Sequence, residues 1–176
     1  DYESVAIYSV AVKLTLLVSV VLSSVNAVLG PQIAKDFNKN DVSALRLKIK
    51  KSTRSIFVST TPIIIGLALL AQPILSLFGP AYTQAHGALL ILLAGQMVNA
   101  FCGSVGVYLN MTSKQIAFQW IIASAVVVNV ILNGVLIPRY GMLGAAIATS
   151  SSMILWNITA VTYVYWKDKT RTFLTW

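Results

Sequence analysis

The sequence predicts an all-α membrane protein, a bundle of five transmembrane helices. Its 176 residues are 57% hydrophobic and 10% charged, with a mean hydropathy of +0.78, whereas soluble domains carry about 25% charged residues. Apolar runs of the ~20 residues that a spanning helix needs cover most of the chain. The strict alternation of barrel strands is absent, so helices are expected to satisfy the backbone polar groups.

Five segments qualify as spans, and turn residues separate them. They are span A (about 4–29), span B (about 55–78), span C (about 87–110), span D (about 116–137) and span E (about 142–166). The breaks contain Gly30-Pro31, Gly79-Pro80, Ser113-Lys114 and residues 138–141. Within span B, Pro62 and Pro73 predict kinks, because proline removes a backbone donor and clashes with the preceding turn. The whole chain, 1–176, is expected to form one membrane lobe.

The charged residues support this division. Five crossings place the segments after spans A, C and E on one side of the membrane. Those segments hold eleven of the thirteen lysines and arginines: Lys35, Lys39, Arg46, Lys48, Lys50, Lys51, Arg54, Lys114, Lys167, Lys169 and Arg171. The other side holds Arg139, and Lys13 lies within span A. The positive-inside rule then places the C-terminus in the cytoplasm. The net charge of +8 therefore reports topology and not nucleic-acid binding.

Residues 31–54 form the longest polar stretch and are expected to be a cytoplasmic linker. Asn40 or Asp41 can cap a helix. Its apolar residues Val42, Leu45, Ile49 and Ile56 fall near one face, and its basic residues are Arg46, Lys48, Lys50, Lys51 and Arg54. This pattern predicts a basic amphipathic helix on the inner leaflet that leads into span B. A helix that only fixes topology is favoured over specific recognition of an anionic head group.

Amide side chains recur at helical spacing inside two spans. In span C a polar and small stripe has spacings of three, four, three and four: Gln96, Asn99, Gly103, Gly106 and Asn110. In span D, Asn129 and Asn133 share a face. Amides that faced lipid would lose their hydrogen bonds, so these faces should point at other helices or at a wet cavity. Both alternatives, interhelical hydrogen bonding and substrate-cavity lining, stay open.

Lys13 is the one ionisable residue well inside a span, ~13 Å along the axis of span A. It either faces a cavity, where it would suit a phosphate as a point charge, or reaches back to the outer interface. No span contains Asp or Glu. Since Cys102 and His86 are single, the chain cannot build a cysteine cluster or a multi-histidine metal site. No nucleophile–base pair is evident, so neither an enzyme nor a cofactor is expected.

Small residues mark one face of span E. Gly144, Ala148 and Ser152 repeat every four residues, beside Gly141 and Ala145. Small side chains let membrane helices approach closely. This face is therefore predicted to pack against a neighbouring helix.

Four stretches carry a family resemblance in the expected order along the chain. They are "IYSVAVKL" (7–14), "PQIAKDF" (31–37), "QPILSLFGPAYTQA" (72–85) and "LNGVLIPRYGMLGAAIATSSS" (132–152), the last being the most specific. Together they resemble the C-terminal half of polysaccharide flippases in the multidrug/oligosaccharidyl-lipid/polysaccharide exporter superfamily.

The resemblance implies a transporter of twelve, sometimes fourteen, helices in two lobes around a central cavity, in a prokaryotic inner or plasma membrane. Such a protein moves a polyprenyl-pyrophosphate-linked glycan from the cytoplasmic to the outer leaflet by alternating access. The five spans would be helices eight to twelve, and the N-terminal lobe would be missing. Lys13 falls where the family has a basic residue. A cation-coupled drug exporter of the same superfamily is the alternative, and a membrane glycosyltransferase or polymerase a weaker one. The absence of membrane carboxylates favours the flippase, and the short outer loops disfavour the enzyme.

Overall fold

The computed structural model describes residues 2–174, and the described part is built from helices without strands. The α-helices are α1 (Tyr2–Asn38), α2 (Val42–Leu69), α3 (Ala71–Ser76), α4 (His86–Cys102), α5 (Val105–Met111) and α6 (Gln115–Asp168), with a 3₁₀ helix over Pro80–Ala85 between α3 and α4. Four helical stretches are long and apolar enough to cross a membrane: Tyr2–Asn38, Val42–Leu69, Pro80–Cys102 and Gln115–Asp168. The all-α, polytopic fold class is confirmed, and the count of five spans stays a prediction.

The 54-residue helix α6 is a hairpin of two antiparallel arms, residues 115–140 and 142–168. Its backbone leaves helical geometry at Gly141, with φ 54° and ψ −129°. Asn129 Nδ2 donates to Ser152 Oγ at 3.0 Å across 23 positions, which a straight helix would separate by ~34 Å. The two arms correspond to the predicted spans D and E.

Helix α1 contradicts the predicted break at Gly30-Pro31, because it continues through both residues to Asn38. Pro31 is exposed, while Leu29 and Ile33 on either side of it are buried in the bundle. At 37 residues, or ~55 Å, α1 is longer than the ~30 Å hydrocarbon core. Packing on both sides of the proline therefore outweighs the one backbone hydrogen bond that Pro31 cannot make.

The turn into α2 confirms the predicted cap. The Asp41 carboxylate accepts hydrogen bonds from the Ala44 N–H and the Ser43 hydroxyl, both at 3.0 Å. These two donors hold the pKa of Asp41 below its ordinary value. The residue before it, Asn40, has a positive φ of 55°, which reverses the chain between α1 and α2.

Residues 31–54 are therefore the adjoining ends of α1 and α2 and not a separate surface helix. The amphipathic pattern is real, since Leu45, Ile49 and Ile56 are buried, although Val42 is exposed. Leu45 and Ile49 pack in one cluster with Ile33 and its neighbours on α5 and α6. The apolar face thus packs against the bundle, and the position of this segment at the inner leaflet stays a prediction.

Spans B and C are both broken. Helix α2 runs through Pro62, ends at Leu69 and is followed by α3 after Leu70. Pro73 explains that position, because its ring meets the carbonyl four residues earlier, at Leu69. The second break, at Gly103 between α4 and α5, has φ 66° and ψ −133°, and the sequence did not predict it.

Contacts bring three basic segments together at one end of the molecule, which we call the basic end. Lys48 Nζ lies 2.6 Å from Asp36 Oδ2, and Lys114 Nζ lies 3.0 Å from Asp168 Oδ2. Arg46 Nη2 donates to the Asp168 carbonyl at 3.2 Å. The α1–α2 turn, the α5–α6 connection and the C-terminal tail (residues 169–174) therefore meet at this end, as the charge pattern predicted. The side of the membrane that it faces stays a prediction.

Two apolar clusters fill the bundle, one nearer each end. The first cluster includes Val18 of α1 and Leu93 of α4. Further along the same two helices, the second cluster includes Leu29 of α1 and Cys102 of α4. The stretches between these residues on α1 and α4 contain polar side chains. The buried amide side chains of the bundle therefore lie at the level between the two apolar clusters.

Candidate functional site

A chain of hydrogen-bonded amides crosses the bundle between the two apolar clusters. Gln96 Nε2 donates to Ser19 Oγ at 2.9 Å, and Asn99 Nδ2 donates to Gln96 Oε1 at 3.3 Å. Asn157 Nδ2 donates to Asn99 Oδ1 at 3.2 Å and to the Met153 carbonyl at 3.0 Å. These four side chains, which we call the amide chain (Ser19, Gln96, Asn99, Asn157), join α1, α4 and the second arm of α6.

The amide chain is uncharged, and two of its four side chains are buried while Ser19 and Asn99 are partly buried. Gln96 is 5% exposed and Asn157 is fully buried, and Asn157 Oδ1 has no hydrogen-bond partner within the protein. A buried polar side chain costs free energy unless its hydrogen bonds are made. The paired amides therefore fix the register of three helices against one another, as interhelical hydrogen bonds do in membrane bundles.

A second amide pair lies inside the α6 hairpin. Asn133 Nδ2 donates to Asn129 Oδ1 at 3.0 Å, and Asn129 in turn donates to Ser152 Oγ. Ser152 Oγ donates to the Thr149 carbonyl at 2.9 Å. Asn133 also borders a cleft of about 570 Å³ between α1 and the hairpin. The contacts of this pair are those expected of amides that hold two helices together, whereas a role in lining a substrate cavity stays a prediction.

The rest of the span C stripe does not continue as one face. Gly103 turns the backbone, and a Cβ added at Gly106 would lie 3.1 Å from Phe118 Cζ. Asn110 is exposed beyond the break. The structure thus brings Gln96 and Asn99 together and separates the second half of the stripe into α5.

Lys13 lies on the outer surface of the five predicted spans. The interior face of α1 at this level carries Ala11, Thr15 and Val18, all buried, while Lys13 is exposed. Leu16 and Leu17 beside it are each 54% exposed. Lys13 therefore belongs to an apolar surface that the amide chain does not reach.

The small residues of span E lie at close contacts. A Cβ added at Gly144 would overlap the Leu136 carbonyl of the other arm. Ala148 is fully buried and Ser152 is 9% exposed, whereas Ala145 is partly buried and Gly141 exposed. The arms of α6 approach one another most closely just after the turn.

The predicted basic face is divided between structural contacts and exposed charges. Arg46 Nε donates to Thr170 Oγ1 at 3.3 Å, and Lys48 pairs with Asp36. Lys50, Lys51 and Arg54 are exposed. Arg46 and Lys48 thus help to hold the basic end together.

Sequence reasoning missed two groups of polar residues. One is Ser19 and Asn157, the ends of the amide chain. The other is Asp168, whose Oδ2 accepts from the Tyr108 hydroxyl at 2.7 Å and pairs with Lys114. A buried asparagine in a span was a usable signal for Asn157, but no local pattern connects Asp168 with Lys114. Among residues 2–174, no group of three or more histidine, cysteine or acidic side chains is placed to hold a metal ion.

Comparison with known proteins identifies relatives, two of which are named as probable flippases. A family model described as "Polysaccharide biosynthesis protein" matches residues 1–87. A probable low-salt glycan biosynthesis flippase of Haloferax volcanii is 26% identical over 149 residues, which is 84% of this chain and 32% of that protein. A probable flippase of the same organism is 27% identical over 160 residues, which is 89% of this chain and 34% of that protein.

An uncharacterized membrane protein of Methanocaldococcus jannaschii is 32% identical over 151 residues, 85% of this chain and 29% of that protein. No solved structure matches the chain. The chain spans about a third of the length of these relatives. The matches confirm the resemblance that the sequence motifs carry: the chain is similar to a polysaccharide-biosynthesis family over residues 1–87 and to two probable flippases over most of its length.

Proposed function

We propose that the chain is part of a membrane transporter that flips lipid-linked oligosaccharide or polysaccharide precursors from the cytoplasmic to the outer leaflet by alternating access. The observation that carries this proposal is the similarity to two named probable flippases over 84% and 89% of the chain. The relatives are about three times as long, so the remaining part of such a transporter would supply the opposite wall of the cavity. The substrate class is a glycan on a polyprenyl pyrophosphate.

The broken helices support an alternating-access mechanism. Helix α2 is interrupted at Leu70, and α4 is interrupted at Gly103 inside a predicted span. In transporters, discontinuous helices form binding sites near the bilayer midplane, around which one part of the bundle rocks against another. The uncharged amide chain can keep α1, α4 and α6 together during such a motion.

The surface position of Lys13 supports a role in holding the substrate. A lysine at the centre of a bilayer costs ~2.5–3.5 kcal/mol on insertion scales. That cost falls if Lys13 faces a wet cavity shared with the rest of the transporter. There its ammonium group would attract the pyrophosphate of the substrate as a point charge.

Glycan export in cells that depend on the full-length protein tests this role. We expect Lys13→Ala to lower surface glycan about tenfold, a loss of ~1.4 kcal/mol, with accumulation of the lipid-linked precursor at unchanged protein level. Lys13→Arg should keep most export, and Lys39→Ala, which removes the same charge from the α1–α2 turn, should have little effect.

Wild-type export by Lys13→Ala would remove Lys13 from the mechanism. Normal glycan after deletion of the gene would remove the proposed function, and loss of the precursor itself would indicate an enzyme.

The basic end is proposed to face the cytoplasm, with the C-terminus there, as the positive-inside rule predicts. Cys102, the single cysteine of the sequence, is buried, so single-cysteine variants can be labelled over a low background. We expect an impermeant thiol reagent added outside cells to label Tyr140→Cys but not Lys114→Cys. The reverse labelling would overturn the orientation.

A further inference from the structure

We infer that the groove between α1 and α2 at the basic end is a binding site for an anionic phospholipid. The groove has a volume of about 470 Å³. Most of its residues divide into two sets by chemistry: Val25, Val28 and Leu29 of α1 are apolar, and Gln32, Lys51 and Ser52 carry hydrogen-bond donors. Ser24, which lines the apolar end, donates its hydroxyl to the Val20 carbonyl of its own helix. An amphiphile with a phosphate at one end matches this division.

The apolar set forms the part of the groove that belongs to span A. Leu29 is 4% exposed and closes the groove, while Val28 is 66% exposed on its wall. Such a surface gains free energy from contact with an acyl chain, at ~25 cal/mol for each Å² removed from water. A soluble anion would leave this strip unused.

Among the residues with hydrogen-bond donors, Lys51 has a charge that is not paired with an acidic side chain in the described part of the chain. Lys48, which also lines the groove, is paired with Asp36 at 2.6 Å. Lys51 is exposed, and within residues 2–174 the structure gives it no acidic partner. A lysine ammonium group with a neighbouring hydroxyl and amide supplies the donors that a phosphate oxygen accepts. A zwitterionic head group also offers a phosphate, but its own cation offsets the attraction to Lys51, whereas the head group of an anionic lipid carries no such cation.

The groove lies at the predicted membrane–water boundary, where a lipid head group would be placed. Predicted span A ends at about residue 29, and α1 continues beyond it to Asn38. The apolar strip therefore points toward the hydrocarbon core and Gln32 away from it. Arg46, Lys48 and Lys114 lie at this end of the molecule, and the Lys48–Asp36 ion pair joins the two walls of the groove. Position, charge and preformed shape together favour a membrane phospholipid as the occupant.

Lipid titration of the full-length protein, followed by native mass spectrometry, tests the site. We expect phosphatidylglycerol to bind more tightly than phosphatidylcholine with the same acyl chains. Lys51→Gln should weaken phosphatidylglycerol binding about fivefold, the effect of ~1 kcal/mol for one lysine near an anionic lipid. The matched control, Lys39→Gln, removes the same charge outside the groove and should change binding less than twofold.

A second variant tests the apolar strip. Val28→Trp fills the groove from an exposed position that the fold does not need, and it should weaken phosphatidylglycerol binding while the thermal unfolding midpoint stays constant. Equal losses for Lys51→Gln and Lys39→Gln, or equal binding of the two lipids, would overturn the site in favour of a diffuse charge effect. Full displacement of the lipid by excess inorganic phosphate, with no effect of Val28→Trp, would overturn it in favour of a simple anion site.

Discussion

Gly103 and Gly141 share a backbone conformation but lie in opposite surroundings. Their φ and ψ angles are 66° and −133° at Gly103 and 54° and −129° at Gly141. Gly103 is buried, and a Cβ added there would overlap the side chain of Thr53, with Cγ2 at 2.6 Å. Gly141 is exposed, and a Cβ added there meets no atom within 4 Å. The same local geometry makes a break inside a span in one case and a turn between two spans in the other.

The break at Gly103 is held by distant parts of the chain. The Thr53 hydroxyl donates to the Thr172 carbonyl at 2.8 Å, and the Leu174 N–H donates to the Phe101 carbonyl at 3.0 Å. A continuous helix would pair the Phe101 carbonyl with the N–H four residues later, so the tail replaces a hydrogen bond that the break removes. The turn at Gly141 needs no such partners, because its two arms hold each other. A break within a span is therefore a tertiary feature, and a turn between spans is a local one.

Gly103→Ala is expected to have the larger effect of the two substitutions. Alanine would add ~1–3 kcal/mol of backbone strain at a positive φ and ~1–3 kcal/mol of overpacking against Thr53. The free energy of unfolding in detergent micelles should fall by the sum. Gly134→Ala is the control, because this glycine is helical with no atom within 4 Å of an added Cβ, and it should change stability by less than ~1 kcal/mol.

A double variant separates the two contributions at Gly103. In a Gly103→Ala background, Thr53→Ala removes the two closest atoms, Oγ1 and Cγ2, and leaves Cβ at 2.8 Å, so it should recover part of the packing loss while the strain remains. The coupling should appear as non-additivity of the two substitutions. If Gly103→Ala were no worse than Gly134→Ala, the break would not depend on glycine.

The two glycines also show how far the sequence could predict the fold. The turn at Gly141 was predictable, because Pro138 and Arg139 interrupt an apolar run. Gly103 instead fitted the helical spacing of a polar stripe, and its contact with Thr53 on another helix has no local signature. The reverse error occurred at Gly30-Pro31, where a strong local break signal was overruled by the burial of residues on both sides.

The same distinction applies to the candidate site. Spacing alone selected Gln96 and Asn99, because a hydrogen-bonding face repeats every three or four residues. Their hydrogen bonds to Ser19 and Asn157 depend on how α1, α4 and α6 are positioned against one another. The spacing of residues within one helix gives no information on that arrangement. Lys13 is exposed on the surface of the bundle, so its role stays a prediction.

Gly141→Ala is expected to have the smaller effect, ~1–3 kcal/mol from backbone strain alone. Asparagine should not rescue it, because the ψ of −129° is far from the ~+47° of the left-handed helical region that asparagine tolerates. Gly141→Ala and Gly141→Asn should therefore lower the free energy of unfolding to a similar degree, and neither should respond to Thr53→Ala. A loss at Gly141 as large as the loss at Gly103 would mean that contacts with Thr53 and the tail do not distinguish the two sites. A smaller loss at Gly141 would assign the difference between the two glycines to packing against Thr53.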